Sequence, residues 1–150
     1  MEKMQGLTND GMKLFYALDQ LRKLEVAVGF QRGKDPYRDG TDLVDVAAQN
    51  EFGTSTIPSR PFMRQSWAKN DKQIREITKR VIEEVEAGAN MEKLLKQVGV
   101  YGVKLVQDEI IEGDFKPNSP ATIEAKGSSR PLIDTGHMRQ SVHYVIRERK

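Results

Sequence analysis

Hydrophobic positions recur along the chain at two different spacings. Between Leu7 and Leu21 they fall at helical intervals, and Thr8, Asn9 and Asp10 are candidate caps, so this stretch predicts a short amphipathic helix. The segment LEVAVGF that follows instead alternates, which predicts a strand with one buried face. That face consists of Leu24, Val26, Val28 and Phe30.

A second short helix is predicted after a loop rich in glycine, aspartate and charge, residues 31–41, which the composition predicts to be mobile. Thr41 or Asp42 can cap this helix, and Gly53 is well placed to end it in a left-handed conformation. Its segment reads LVDVAAQNEF, and its expected inner face is Leu43, Val46, Ala47 and Phe52.

The stretch after Gly53 is predicted to be extended, because Ile57 and Arg60 each precede a proline and that position disfavours helical backbone angles. Pro61 suits the first turn of a helix, and the helix that follows carries an apolar stripe on one side. Gly88 breaks it. The stripe consists of Ile74, Ile77, Val81, Ile82 and Val85.

Asn90 can cap a further helix from about Met91 to Glu112, which completes a helical hairpin. Gly99 and Gly102 lie inside this helix, where each costs up to about 1 kcal/mol relative to alanine. Close packing against another backbone would offset that cost. The helix is therefore expected to have a near neighbour on its glycine side.

The carboxyl-terminal part predicts a short helix capped by Ser119 with Pro120 at its first position, then a Gly/Ser loop, a turn and a final strand. In that strand Val142, Tyr144 and Ile146 alternate with polar or exposed positions, as in the first strand. The predicted fold class is α+β: a small, mostly antiparallel sheet packed on one face by long helices, including the hairpin. The 150 residues form a single domain, with residues 1–6 and 147–150 predicted to be flexible.

Composition narrows the possible functions. Hydrophobic residues make up 37% and charged residues 31%, which is enough apolar content for a core. The net charge of +2 is the difference between 24 basic and 22 acidic residues, so specific nucleic-acid binding is not expected. There is no cysteine, no long apolar run and no signal-like amino terminus, so we expect a cytoplasmic protein without a membrane partner.

No residue pattern indicates a cofactor or metal, and we expect none. The two histidines, His137 and His143, are too few and too awkwardly spaced for a zinc site. An acidic cluster at one helix end could act with His137 in a small enzyme, although a solvated charged face is the commoner reason for such a cluster. Its members are Asp108, Glu109, Glu112 and Asp114.

A nucleic-acid-associated module is a third hypothesis. It would use the terminal RERK segment together with Arg32, Lys34 and Arg38, although no aromatic stacking set accompanies them. A frayed, charged tail is the simpler interpretation of RERK.

Three separated blocks, VAVGF, AAQNEFGTSTIPSRPFMRQSW and PATIEAKGSSRPLIDTGHMRQSVHYVI, resemble the tail-completion or head–tail joining proteins of tailed bacteriophages and prophages. That family also includes minor tail components and virion morphogenesis proteins. The resemblance covers about residues 26–146. It implies a non-enzymatic α+β subunit of the virion neck that assembles as a ring, commonly six-fold, with copies of itself and with connector and tail proteins. A tail terminator or capsid-associated protein is the nearest alternative.

Two sets of residues follow from these blocks. The candidate subunit-interface residues are Glu51, Arg60 and Arg64, expected to be free to meet a neighbour, with Arg32 and Arg38 in the long loop. A second set is expected to shape the backbone, with the aromatic side chains facing inward and Asp134 or Thr135 bonding nearby backbone N–H groups. This structural set is Asn50, Phe52, Gly53, Pro58, Pro61, Phe62, Leu132, Asp134, Thr135 and Gly136.

Overall fold

A computed structural model describes residues 6–126, 132 and 136–150. The fold is α+β, as predicted. The described helices are α1 (Asn9–Lys23), α2 (Leu43–Phe52), α3 (Phe62–Lys69), α4 (Asp71–Glu86), α5 (Met91–Glu112), α6 (Pro120–Lys126) and α7 (His137–Gln140). The described strands are β1 (Leu24–Gly29) and β2 (His143–Glu148).

The sheet joins the two ends of the chain. β1 and β2 pair antiparallel, in a register that sets Leu24 opposite Glu148 and Gly29 opposite His143. The prediction that the first and last strands share a sheet is confirmed. β2 ends at Glu148, one residue beyond the Arg147 that ends the predicted alternation.

Helix α5 supports this sheet through its two internal glycines. A Cβ atom at Gly99 would overlap the ring of Tyr144, and one at Gly102 would lie 2.8 Å from a methyl carbon of Val28. The glycines thus admit side chains of the two strands. The expectation that they face another backbone is wrong, because strand side chains fill the space above the helix.

The helical hairpin is confirmed, with α4 and α5 as its arms. Asn90 caps α5 by accepting a hydrogen bond from the Lys93 amide at 2.9 Å, and Gly88 adopts a φ of 91° in the turn. The single helix predicted from Pro61 to the break at Gly88 is wrong, because it is interrupted at Asn70. The Asn70 side chain donates to the carbonyl of Ser66 at 2.8 Å, and such local bonds compete with helix continuation.

The buried side chains form two clusters. One lies between α4, α5 and α1 and is built on Val81, Val85 and Leu94. The other brings together residues from distant parts of the sequence, among them Leu43, Phe62, Val106, Ile110, Leu132, Met138 and Val142. The second cluster holds apolar residues from all three motif blocks, so it is the core beneath the candidate site.

Candidate functional site

Glu51 caps helix α3 from a distance in sequence. Pro61 at the N-cap position has no side-chain oxygen to offer, so the first N–H groups of α3 need another acceptor. The Glu51 carboxylate accepts from the amide of Met63 at 2.9 Å and from the amide of Arg64 at 3.2 Å. A negative charge at this helix end is also favoured by the helix dipole. The Glu51 residue is only 6% exposed.

The Arg64 side chain completes this cap. Its Nε donates to the Glu51 carboxylate at 2.9 Å and its Nη2 donates to the Glu51 main-chain carbonyl at 2.8 Å. The hydroxyl of Ser59 donates to the same carbonyl at 2.9 Å. The last turn of α2 and the first turn of α3 are therefore joined through one residue.

The end of α2 and the start of α3 form a corner of the fold. Arg60 is 5% exposed and links this corner to a third segment, residues 116–118. Its amide donates to the Asn50 carbonyl at 2.6 Å, and its guanidinium donates to the Asn50 side-chain oxygen at 3.2 Å. It also donates to the carbonyl of Lys116 at 2.9 Å, to that of Pro117 at 3.4 Å and to the side-chain oxygen of Asn118 at 3.0 Å. All these acceptors are neutral, and burial lowers the pKa of Arg60 below its usual value.

Glu51 and Arg60 are thus engaged within their own chain. The prediction that they are free to meet a neighbouring subunit is wrong. The polar atoms of Glu51 cap α3, and those of Arg60 are hydrogen-bonded to Asn50 and to residues 116–118. Sequence reasoning missed Lys116, Pro117 and Asn118 as partners. No local pattern signals them, since they lie more than 50 residues from Arg60.

Gly53 is required by the turn between α2 and α3. It adopts a φ of 76°, and a Cβ there would lie 2.8 Å from the Ser59 amide nitrogen. Its predicted place at the end of α2 is confirmed. The turn is held by the Thr54 amide, which donates to the Ile57 carbonyl at 2.8 Å. Pro58 and Pro61 are half-buried and Phe62 is fully buried.

Phe52 is the exposed part of this corner, at 70% of its surface. The prediction that it faces inward is wrong. Leu43, Ala47 and Glu51 form the buried face of α2 at spacings of four, which leaves Phe52 one position past that face. The Arg64 guanidinium lies 5.2 Å from the centroid of the Phe52 ring, a cation–π distance, and the Arg64 side chain is itself 59% exposed.

The remaining candidate interface residues lie in and beside the 31–41 loop. Arg32 makes a two-pronged contact with Asp45, at 2.8 and 3.2 Å. The hydrogen bond from Arg32 holds the pKa of Asp45 below its usual value. The Gly33 amide donates to Asp42 at 2.9 Å, so the start of the loop is tied to α2. Arg38 is exposed.

The RPLIDTG block is described only in part. Leu132 is buried in the same cluster as Phe62, and Gly136 adopts a φ of 73° directly before α7. The predictions for Asp134 and Thr135 fall outside the described residues. Leu132 shows that this block contributes to the core beneath the Glu51–Arg60 corner.

The four residues of the predicted acidic cluster do not share a common partner in the part of the chain that the structure describes. Glu109 is buried and pairs with Lys69 at 2.6 Å, while Asp108 pairs with Lys104. Glu112 and Asp114 are exposed. His137 lies 2.5 Å from the Asp35 carbonyl and its ring packs edge-on against Tyr37. Within residues 6–126, 132 and 136–150, no hydrogen bond or ion pair joins His137 to these carboxylates, and no group of three acidic or histidine side chains is arranged to hold a metal.

The basic carboxyl terminus is partly engaged. Arg147 pairs with Glu25 across the sheet at 2.6 Å, and the Arg149 amide donates to the Lys23 carbonyl at 2.7 Å. None of the described helices is long and apolar enough to cross a membrane. Comparison of the chain with protein-family models, with curated proteins and with solved structures gave no match.

Proposed function

We propose that this chain is a structural assembly protein of a tailed bacteriophage or prophage, acting at the joint between head and tail. The observation that carries the proposal is the set of three blocks, VAVGF, NEFGTSTIPSRPF and RPLIDTG. Their packing supports it. Val28 and Phe30 from the first block, Phe62 from the second and Leu132 from the third all contact one hydrophobic cluster. The blocks are therefore one structural unit, as expected of a fold signature.

The proposed role requires contacts between subunits and no reaction. In a ring, each subunit presents two different complementary surfaces to its neighbours. With Glu51 and Arg60 buried, the revised candidate contact consists of Phe52 and Arg64, and Arg38 in the 31–41 loop is a separate exposed candidate. An exposed aromatic side chain beside an arginine is the composition typical of interface hot spots. The hydrogen bonds of Glu51 to Arg64 and to the start of α3 fix Arg64 and the backbone carrying Phe52 before any partner binds.

Deletion of the gene tests the proposal. We expect electron micrographs of the lysate to show filled heads and separate tails, and intact virions would overturn it. Complementation then tests the contact: a gene carrying Phe52→Ser should fail to restore joining, whereas Gln49→Ser, on the exposed side of the same helix, should restore it. Tails of abnormal length in the deletion strain would instead identify a tail terminator.

A further inference from the structure

A groove runs beside β1 on the side away from β2. Its two larger cavities have volumes of about 350 and 530 Å³ and share Val26, Ile74, Thr78 and Val98 as walls. Both are lined by residues of β1, whereas no residue of β2 lines either one. The groove therefore borders the unpaired edge of β1.

The edge of β1 lacks the features that normally protect such a strand. β2 is its one strand partner among the described residues, so half of its backbone N–H and C=O groups point away from the sheet. The segment LEVAVG has no proline and no lysine, and its one charge, Glu25, is paired with Arg147 on β2. A two-stranded sheet is also only marginally stable by itself.

The shape of the groove limits what can occupy it. Val98 and Gly102 of α5 form its floor, and Ile74 and Thr78 of α4 form the wall opposite β1. α4 lines the groove beside the edge of β1 where a third strand would pair, which favours a single extended segment, about 4.8 Å from β1, over a complete subunit with its own helical layer.

Charges at the groove indicate the orientation and chemistry of that segment. At the Leu24 end lies Arg149, whose guanidinium has no hydrogen-bond or ion-pair partner within the described parts of the chain. At the Val28 end lies Asp71, already paired with Arg75 at 2.8 Å. A strand antiparallel to β1 would place its carboxyl-terminal end beside Arg149, so a carboxylate there would be complementary.

This chain does not supply such a segment from its described irregular regions. Residues 30–42, 53–61 and 113–119 all contain glycine or proline and are mainly polar, which makes them poor strands. The described irregular regions therefore offer no suitable strand, and Arg149 at the Leu24 end favours a segment of another protein that carries a carboxylate.

We propose that β1 and the α4–α5 groove form an acceptor site for one extended strand of a partner protein. That strand has apolar side chains at alternate positions, which enter the groove, and an aspartate or glutamate at its carboxyl-terminal end, which pairs with Arg149. Main-chain hydrogen bonds to β1 supply affinity and the groove supplies specificity, the recognition mode known as β-augmentation. The inference does not depend on the head–tail role proposed above.

Selection of binders from a library of random dodecapeptides displayed on yeast tests the proposal on the full chain. We expect enriched peptides to alternate apolar and polar residues and to carry an acidic residue near the carboxyl-terminal end. Hydrogen exchange of the β1 amides should slow when a selected synthetic peptide binds. Enriched peptides with apolar residues spaced three and four apart, or no enrichment at all, would overturn the proposal.

Three variants locate the binding. Thr78→Arg places a long charged side chain in the groove and should weaken a selected peptide at least about tenfold, measured by fluorescence anisotropy. Gln73→Arg adds the same charge at an exposed position of α4 outside the groove and should leave the dissociation constant unchanged. Arg149→Glu, at the surface and after the last strand, should remove the preference for a terminal acid. Equal binding to all three variants would refute the site.

Sedimentation velocity tests whether the groove is instead occupied by a second copy of this chain. If the free protein self-associates and Thr78→Arg alone abolishes that association, the groove belongs to another subunit of this chain and the proposal fails. If Thr78→Arg affects peptide binding without changing the sedimentation coefficient, the partner is a different protein, as proposed.

Discussion

Replacing Glu51 with alanine removes the acceptor that joins two helices. In the folded protein its carboxylate accepts hydrogen bonds from two α3 amides and from the Arg64 side chain, at 2.9 to 3.2 Å. Glu51 is 6% exposed, so water reaches this position poorly. Alanine therefore leaves the amides of Met63 and Arg64 without the partner that the fold provides.

The expected cost follows from these contacts. Loss of a helix cap costs about 1 kcal/mol, and leaving a second, half-buried donor without a partner adds about 1 to 2 kcal/mol. The ion pair with Arg64 adds less than about 1 kcal/mol, because that side chain is largely solvated. We expect Glu51→Ala to lower the free energy of unfolding by about 3 kcal/mol, a fall in Tm of roughly 6–12 °C for a domain of this size.

Urea unfolding followed by circular dichroism measures this change, provided that the slope of free energy against urea is the same in both proteins. Glu76→Ala, at an exposed position of α4, is the matched control and should change stability by less than about 0.5 kcal/mol. In a double-mutant cycle with Arg64→Ala, the coupling energy isolates the ion pair from the cap. A Glu51→Ala protein as stable as the Glu76→Ala control would refute the capping argument.

Other substitutions test separate parts of the structure. Gly53→Ala should cost about 2 kcal/mol or more, because it combines left-handed strain with overlap against Ser59, whereas Gly33→Ala, with a similar φ and no neighbour within 4 Å, should cost about 1 kcal/mol in the same urea assay. Gly99→Ala should destabilise despite alanine's higher helix propensity, and Tyr144→Ala in the same chain should restore part of the loss in thermal unfolding. Since the pKa of Asp45 is depressed in the folded state, the Arg32 contact contributes above the unfolded pKa and is lost as pH falls through the folded pKa. Protease cleavage of the 31–41 loop should rise there, and Asp45→Asn should weaken this dependence.

Much of the backbone arrangement follows from local signals. The bounds of α5 agree with the prediction at both ends, because Asn90 provides a cap and an apolar stripe continues to Ile110, in the last turn of the helix. Ser119 before Pro120 likewise begins α6, with its hydroxyl accepting from the Thr122 amide at 3.3 Å. In these elements, neighbours in sequence are also the partners in space.

The buried hydrogen bonds of Glu51 and Arg60 were not predictable in the same way. Glu51 and Arg60 are charged residues, and charged residues are mostly exposed, so a prior based on residue type places them at the surface. Their burial is decided by partners at long range: Met63 and Arg64 for Glu51, and residues 116–118 for Arg60. The same long-range contacts turn α2 so that its glutamate faces inward and Phe52 faces solvent.

Because Glu51 is buried and its neighbour Phe52 is exposed, effects on folding and effects on partner binding can be separated at adjacent positions. Glu51 stabilises the corner, and Phe52 contributes little to the core because most of its surface remains exposed. Truncation of Phe52 should thus cost less than about 1 kcal/mol of stability and still abolish joining, if the proposed contact is correct.

Glu51→Ala would also reduce joining, but through loss of folded protein. An assay that scores only intact virions gives both variants the same phenotype, so the amount and unfolding free energy of each protein must be measured beside it. A Phe52→Ala protein that is stable, abundant and fully active in joining would place the subunit contact elsewhere on the molecule.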